Sequence, residues 1–209
     1  MSLIVSVMIQ ARYLNAQSYP LMNVHFENIT SEKIKSAFLE VVQRYDTLHD
    51  HKINLKQLRI KSSTMQAQPV LNWNSLKGIK SYKVKLALHV RDSDTLLVED
   101  MPRNVLIGWF AHELGHLVDY APLSTWQMII YGIRYLTSGK FKRKAEYKAD
   151  YIAIDHGFDQ EIVAAKKYIF ENDLMDQRYK DKISKYYMSI DEVLVCAEEK
   201  MIARPTTGL

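Results

Sequence analysis

Two histidines lie four residues apart in AHELGHLVDY, residues 111–120, with a glutamate directly after the first. On an α-helix, residues four apart differ by about 40° in rotation and about 6 Å in rise, so His112 and His116 project from one face. Neutral imidazoles are good ligands for Zn²⁺. Glu113 lies about 100° round the helix from His112, which suits a base acting on a metal-bound water better than a ligand. The pattern predicts a zinc site, with two ordinary histidines as the alternative.

A catalytic zinc site needs a third protein ligand and an open position for water, and two acidic positions are candidates for the ligand. Asp119 shares the face of His112, but it lies about 10 Å further along a continuous helix and its side chain is short. Glu146 and Asp150 share one face of a separate helix in KAEYKADYIAIDHG. If that helix packs across the first, Glu146 reaches the ion and Asp150 accepts the spare N–H of a ligand histidine. Two alternatives stay open: Asp119 as the third ligand, and two solvated acids among lysines.

HELGH followed by E-x-x-A-D resembles the motifs of the gluzincin metallopeptidases. The similarity is greatest to the branch that contains the heat-shock and CAAX-processing membrane peptidases and their small soluble relatives. It covers residues 102–170, about a third of the chain. The matching positions are His112, Glu113, His116, Glu146, Ala149 and Asp150.

The resemblance implies a role for each matching side chain. Zinc would be held by His112, His116 and Glu146, with Glu113 as the general base and Asp150 supporting a ligand histidine. In that family, a strand just before the active-site helix pairs with the extended substrate, and SYKVKLALHV at 81–90 would take that position.

Two features depart from that family. The membrane relatives have spanning helices, whereas here only the apolar segment 126–136 lies between the motifs, short of the about 20 residues of a membrane span. We interpret this segment as a helix over the cleft, with membrane contact or ordinary packing as alternatives. Many gluzincins also stabilise the oxyanion with a residue beyond the glutamate helix. His156 lies about 80° off the Glu146 face, which argues against that role. The other candidates are Tyr179, Tyr186, Tyr187, Arg178 and Arg204.

The positions of these motifs predict an α+β fold in one domain, residues 1–209. We expect a strand-rich part over 1–101 with one helix at 32–48, and a helical part over 102–209 that carries the metal site. The sheet should be small and mostly antiparallel, because SYKVKLALHV alternates apolar and polar residues as an antiparallel or edge strand does. The sequence then predicts an active-site helix and a glutamate-bearing helix, as in zincins. The predicted helices after residue 101 cover about 102–120, 125–137, 143–156, 159–171 and 190–202.

Composition narrows the classes of protein. The 209 residues carry a mild net charge of +4, with one basic cluster at 140–144. The single cysteine, Cys196, excludes a disulfide within the chain and a thiolate-only zinc site. The 13 tyrosines lack the basic interleaving of a nucleic-acid platform, so we expect no nucleic acid. We interpret the apolar run at 3–9 as a buried strand, which favours a cytoplasmic protein; a signal peptide over 1–17 would make it secreted or periplasmic.

Two hypotheses of different classes follow. The first is a zinc-dependent metalloendopeptidase that hydrolyses peptide bonds of a peptide or protein with a metal-activated water and Glu113 as general base. A regulatory protease that cleaves a repressor is a variant of it. The second is a non-catalytic zinc-binding regulatory or interaction domain, in which Asp119 or His156 closes the fourth metal position.

Overall fold

A four-stranded sheet and a series of helices make up the described part of the chain, which in this computed structural model comprises residues 23–60, 63–72, 80–91, 93 and 95–203. The strands are β1 (Val24–Glu27), β2 (Lys52–Leu58), β3 (Met65–Pro69) and β4 (Ser81–Ala87). The helices are α1 (Glu32–Arg44), α2 (Arg103–Tyr120), α3 (Thr125–Thr137), α4 (Gly139–Asp155), α5 (Asp159–Glu171), α6 (Gln177–Tyr186) and α7 (Ile190–Ala203). The predicted α+β class is confirmed. The apolar run at 3–9 and Arg204 lie outside the described residues.

The sheet is mixed, and the expectation of a mostly antiparallel sheet is wrong. Its strand order is β1-β2-β4-β3, in which β1 pairs with β2 and β2 pairs with β4 in parallel. Only the pair of β3 and β4 is antiparallel. The reason lies in α1, which connects β1 to β2 and returns the chain to the same end of the sheet, as parallel neighbours require. The four residues of β1 are too few to give a periodic signal in the sequence.

Strand β4 is interior, so the interpretation of 81–90 as an edge strand that pairs with a substrate is also wrong. It lies between β2 and β3, which take both of its hydrogen-bonding edges. Its alternation has a different cause: Tyr82, Val84 and Leu86 are buried against the helices, whereas the residues between them are not. Alternation therefore reports a sheet with one covered face and does not distinguish an edge strand from an interior one.

The predicted helices form close to the expected bounds. Ser31 caps α1, and its buried face includes Ile34, Phe38 and Val42. The helix ends at Arg44, four residues before the predicted end at 48, and a separate 3₁₀ turn, Asp46–Leu48, follows it. Ser138 ends α3 and caps α4, which begins four residues earlier than expected. A capping box forms at the start of α7 between Ser189 and Glu192, whose side chains each accept from the other's backbone N–H. Helix α6 has no counterpart in the sequence-based prediction. Among the described residues, no helix has the length and apolar character needed to cross a membrane.

Two glycines let other helices approach α2 closely. A Cβ on Gly115 would lie 2.7 Å from the Ala149 carbonyl oxygen of α4. A Cβ on Gly108, two turns earlier, would lie 2.1 Å from the Glu161 carbonyl oxygen of α5. Both distances are far below van der Waals contact with backbone atoms, which cannot move away as a flexible side chain can. The glycine inside HELGH is therefore required where the glutamate-bearing helix crosses the histidine-bearing one.

Gly115→Ala should test this packing. The added methyl group must push α4 away from α2, so we expect a loss of about 1–3 kcal/mol in the free energy of unfolding, measured by urea denaturation. The matched control is Gly132→Ala in α3, where a Cβ meets no atom within 4 Å. That change should be neutral or stabilise by up to about 1 kcal/mol, because alanine is the better helix former. Equal stabilities for the two variants would contradict the close approach.

Candidate metal centre

Three buried side chains converge at one point between α2 and α4. Oε2 of Glu146 lies 3.0 Å from Nε2 of His112 and 3.2 Å from Nε2 of His116. All three side chains are nearly inaccessible to solvent, with exposed fractions of 8% for His112, 6% for His116 and 1% for Glu146. They form the group of potential metal ligands found among the described residues. The helix crossing thus brings together the three residues that the sequence favoured as ligands.

A chain of hydrogen bonds extends from His112 away from this point. Its Nδ1 lies 2.8 Å from Oδ1 of Asp150, on α4 one turn after Glu146. The other carboxylate oxygen of Asp150 accepts from Nζ of Lys166 on α5 at 2.9 Å and from the Met188 backbone N–H at 3.1 Å. Such a carboxylate fixes the ring orientation of His112 and selects the tautomer with a proton on Nδ1. The Nδ1 atom of His116 is buried and has no hydrogen-bond partner among the described residues. The two imidazoles are therefore supported unequally.

The donor set fits a divalent cation such as Zn²⁺. If Asp150 accepts the Nδ1 proton of a neutral His112, the lone pair on Nε2 faces the Glu146 carboxylate. Two lone pairs at that distance repel unless a proton or a cation lies between them. The observed separations of 3.0 and 3.2 Å are close to the roughly 3.3 Å between ligand atoms in a tetrahedral zinc site. Two imidazoles and one carboxylate are also ligands that zinc commonly has in proteins.

The electrostatics of the cluster agree with this fit. Burial lowers the pKa of His112, but the carboxylates of Asp150 and Glu146 outweigh burial and raise it to about 10. Burial raises the pKa of Glu146, but the two imidazoles hold it well below its usual value. For Asp150, burial is likewise outweighed by Lys166 and His112, which lower the pKa. Without a metal, the raised pKa of His112 places a proton between the carboxylates of Glu146 and Asp150.

Glu113 lies beside the three ligands and faces the sheet. Its Oε2 accepts a hydrogen bond of 2.6 Å from the backbone N–H of Ala67 in β3. In an antiparallel strand, residues that bond to the neighbouring strand alternate with residues whose backbone groups point away from it. Thr64 and Val70, each three residues from Ala67, bond to residues that flank or begin β4. The Ala67 N–H therefore points to the free edge of the sheet. The backbone nitrogen of Pro69, two residues after Ala67, also faces this edge. Proline has no N–H, and it is tolerated here because no hydrogen bond to β4 is lost. The edge strand nearest to the candidate site is thus β3.

The ligands lie in a cleft with a volume of about 700 Å³. β3 forms one wall and α3 forms another, so the apolar segment 126–136 does border the cleft. The side chains that line it include Met65, Ala67, Met128, Ile129, Ile133, Leu136, Tyr179, Lys182 and Tyr187. The cleft is therefore mainly apolar around a charged floor, which is typical of ligand-binding sites.

Several residues of the cleft have no part in the sequence-based prediction. Tyr135 of α3 donates a short hydrogen bond to Oε1 of Glu146. Lys166 is 4% exposed and forms an ion pair with Asp150. A signal for Lys166 exists in the sequence, since it shares the apolar stripe of Ile162 and Ile169 at helical spacing. A lysine on such a stripe requires a buried acidic partner. For Tyr135 and Ala67 no comparable sequence signal exists.

Other candidates are directed elsewhere. Asp119 accepts from the Tyr131 hydroxyl at 2.9 Å and pairs with Lys148 at 3.0 Å, outside the ligand group. Nδ1 of His156 bonds to the Ile152 carbonyl oxygen at 2.8 Å. Of the oxyanion candidates, Tyr179 and Tyr187 line the cleft, and the Tyr187 ring lies 5.1 Å from that of His112. Tyr186 lies against Lys142 and Lys185, and Arg178 bonds to Asp176.

Comparison of the chain with protein-family models, with curated proteins and with solved structures finds no match. The case for a function therefore depends on the geometry of the site and on the motifs.

His116→Ala should remove the metal. We expect the purified wild type to contain one zinc ion per chain by elemental analysis, and this variant to contain none, because only two ligands remain. His25→Ala is the matched control, since His25 is exposed on β1 and should leave the zinc content unchanged. Zinc retained at one ion per chain by the His116 variant would contradict the site.

Asp150→Asn should weaken metal binding without removing a ligand. Loss of the carboxylate lowers the basicity of His112 and loosens its orientation, so we expect zinc affinity to fall about 10- to 100-fold in a competition titration with a chelator. The control is Asp155→Asn, one turn further along α4, where the aspartate is exposed and contacts Lys200. Circular dichroism checks that the first variant folds, because the substitution also leaves Lys166 without its partner. An unchanged zinc affinity would show that Asp150 does not support the ligand.

Proposed function

We propose that the protein is a zinc-dependent metallopeptidase with a zincin-like arrangement of sheet edge, histidine helix and glutamate helix. The observation that carries the proposal is the buried convergence of His112, His116 and Glu146 on the floor of a cleft, with the Glu113 carboxylate beside them. A purely structural zinc site has no need of a cleft or of an additional carboxylate. A hydrolytic site needs both.

The chemical roles follow from the positions of the side chains. His112, His116 and Glu146 would hold Zn²⁺, which when bound supplies Lewis acidity to the scissile carbonyl and lowers the pKa of a water molecule. Glu113 would act as the general base, taking the proton of the attacking water and giving it to the leaving nitrogen. Asp150 bonds to Nδ1 of His112 and accepts a hydrogen bond from Lys166, so these two residues would keep the His112 ring oriented.

The free edge of β3 supports a polypeptide substrate in particular. An extended peptide can add to this edge as a further strand, because the outward carbonyl groups of Met65, Ala67 and Pro69 are not used by β4, whereas the Ala67 N–H donates to Glu113. The edge passes over Glu113, as the hydrogen bond from Ala67 shows. A substrate strand held there has its peptide bonds next to the general base and the ligands. Recognition through the main chain suits a protease that accepts many sequences.

Two tyrosines of the cleft are suited to stabilise the oxyanion. Burial raises the pKa of both Tyr179 and Tyr187, with nearby carboxylates acting in the same direction. Their hydroxyl groups therefore keep their protons at neutral pH and remain hydrogen-bond donors. No histidine follows Asp150 on the face that oxyanion stabilisation would require. We assign this role to Tyr179 of α6 and to Tyr187, the residue directly after α6.

A non-catalytic zinc domain is less well supported. In that case a fourth protein ligand should close the metal site, and the sequence offered Asp119 and His156 for it. Asp119 is engaged by Tyr131 and Lys148, and the ring of His156 packs on Tyr45 at 4.4 Å. Both side chains are held by other partners, which favours an open position and hence an enzyme.

Glu113→Gln should separate catalysis from metal binding. The glutamine can still accept the Ala67 N–H bond through its amide oxygen, but it cannot take a proton. We expect one zinc ion per chain and a fall of about 10²- to 10⁴-fold in the rate of cleavage of fluorescently labelled casein. Glu32→Gln, at an exposed glutamate on α1, serves as the control and should keep full activity.

The outcomes distinguish the two hypotheses. Cleavage by the Glu113 variant at the wild-type rate would rule out the proposed mechanism. A zinc-loaded wild type that cuts neither casein nor a peptide library, read by mass spectrometry, would favour the non-catalytic domain.

A further inference from the structure

The outward face of α3 is apolar, although it lies at the surface. The side chains of Trp126, Ile130 and Ile133 are 71%, 55% and 57% exposed, and Leu136 is 84% exposed. Positions 126, 130 and 133 repeat at helical spacing, so these side chains form one row along the helix. The row extends over about 15 Å from Trp126 to Leu136. Met128, on the opposite side of α3, is buried, so this side of the helix packs against the rest of the protein.

The charge around this face has one sign. Residues 122–145, which contain α3 and the start of α4, include five lysines and arginines and no aspartate or glutamate. The whole chain has 28 basic and 24 acidic residues, so 23 basic residues face 24 acidic ones outside this segment. The net positive charge of the protein is therefore concentrated beside the exposed apolar row. Lys140 and Lys144 are exposed there, and no ion pair with another described residue is seen for either.

A groove between α3 and α4 joins the two features. It has a volume of about 320 Å³ and lies between Ile130 of the apolar row and Lys144. Arg134 also lines it and stacks on Phe141, with the guanidinium carbon 4.3 Å from the ring centre. The one acid in the groove, Asp119, is neutralised by Lys148 at 3.0 Å. A phosphate headgroup would meet cations on the walls of the groove and apolar side chains at its mouth.

The same combination does not occur on α7, the other helix with several exposed apolar residues. Its Met201 and Ile202 are 72% and 78% exposed, but α7 contains four acidic residues and one lysine. The outward face of α3 therefore differs from that of α7 because its exposed apolar side chains lie next to cations. Lysine is depleted in the core of protein interfaces, whereas it is favoured next to anionic lipid.

We propose that the α3 surface, formed by Trp126, Ile130, Ile133, Leu136, Lys140 and Lys144, docks on the face of an anionic lipid bilayer. The apolar row would enter the boundary between headgroups and acyl chains, and the cations would lie at the level of the lipid phosphates. Docking does not depend on the proposed peptidase activity. Because Ile133 and Leu136 also line the cleft, docking would hold the mouth of the cleft at the lipid surface.

Vesicle flotation tests the apolar part of the surface. Purified zinc-loaded protein is mixed with phosphatidylcholine vesicles that contain phosphatidylglycerol, or with pure phosphatidylcholine vesicles. We expect the wild type to float with the anionic vesicles only. Trp126→Ser with Ile133→Ser should abolish flotation, whereas Met201→Ser with Ile202→Ser, at equally exposed positions of α7, should not. Zinc content and circular dichroism verify that each variant is folded.

The charge is tested separately. Lys140→Gln with Lys144→Gln should weaken binding to the anionic vesicles about 25-fold, since each cation near such a surface contributes about fivefold. Lys52→Gln with Lys167→Gln, two exposed lysines elsewhere, should leave binding unchanged. Raising the salt concentration from about 0.1 M to about 1 M shortens the screening length from about 10 Å to about 3 Å and should release the wild type.

Three results would overturn the proposal. The first is a wild type that does not float with anionic vesicles. The second is flotation that survives the Trp126 and Ile133 double substitution. The third is a wild type that sediments as a dimer and becomes a monomer on that substitution, which would make the surface an interface between two copies of the chain. A wild type that floats with anionic vesicles but does not cleave casein would instead count against the proposed peptidase activity and would still support the docking surface.

Discussion

The close approach of α4 to α2 is the constraint on which the site depends. The Ala149 carbonyl oxygen lies where only a glycine at 115 leaves room for it. Ala149 stands between Glu146 and Asp150, so this one contact sets both carboxylates against the histidines of the facing helix. A spacing wider by the size of a methyl group would take Glu146 out of reach of two imidazoles at once. Gly115 in HELGH is thus as necessary to the candidate metal site as the three candidate ligands are.

The cost of burying charge determines how the site is built around that contact. Glu146 and Asp150 are each 1% exposed, and an isolated carboxylate at such a depth is strongly unfavourable. Lys166, the Met188 N–H and His112 compensate Asp150. Glu146 is compensated by the imidazoles of His112 and His116 and by the Tyr135 hydroxyl. The imidazoles are the groups that a metal would bind. A bound metal would therefore act directly on Glu146, whereas Asp150 would keep Lys166 and the Met188 N–H as partners.

The candidate ligands were predictable because they depend on periodicity within helices, which the sequence displays directly. Spacings of four residues put His112 with His116 and Glu146 with Asp150 on the faces of two helices, and Gly115 lies where those helices cross. The order of the strands was not predictable, because alternation in β4 reports burial of one face and not the direction of the neighbouring strand. Helix α6 was missed because its sequence, QRYKDKISKY, is polar and buries only Tyr179 and Ile183.

The interior position of β4, which the sequence did not predict, affects the walls of the cleft more than the candidate metal ligands. With β4 in the interior, the backbone that faces Glu113 belongs to β3, whose sequence MQAQP has little strand character and ends in proline. A five-residue strand that contains alanine and proline, both depleted in strands, is a poor candidate from sequence, but an edge position tolerates proline and leaves the outward N–H and C=O groups without partners in the sheet. The edge position thus accounts both for the proline in β3 and for the outward backbone groups that have no partner in the sheet. Under the proposed function, the edge that is hardest to recognise in the sequence is the one to which an extended polypeptide would add.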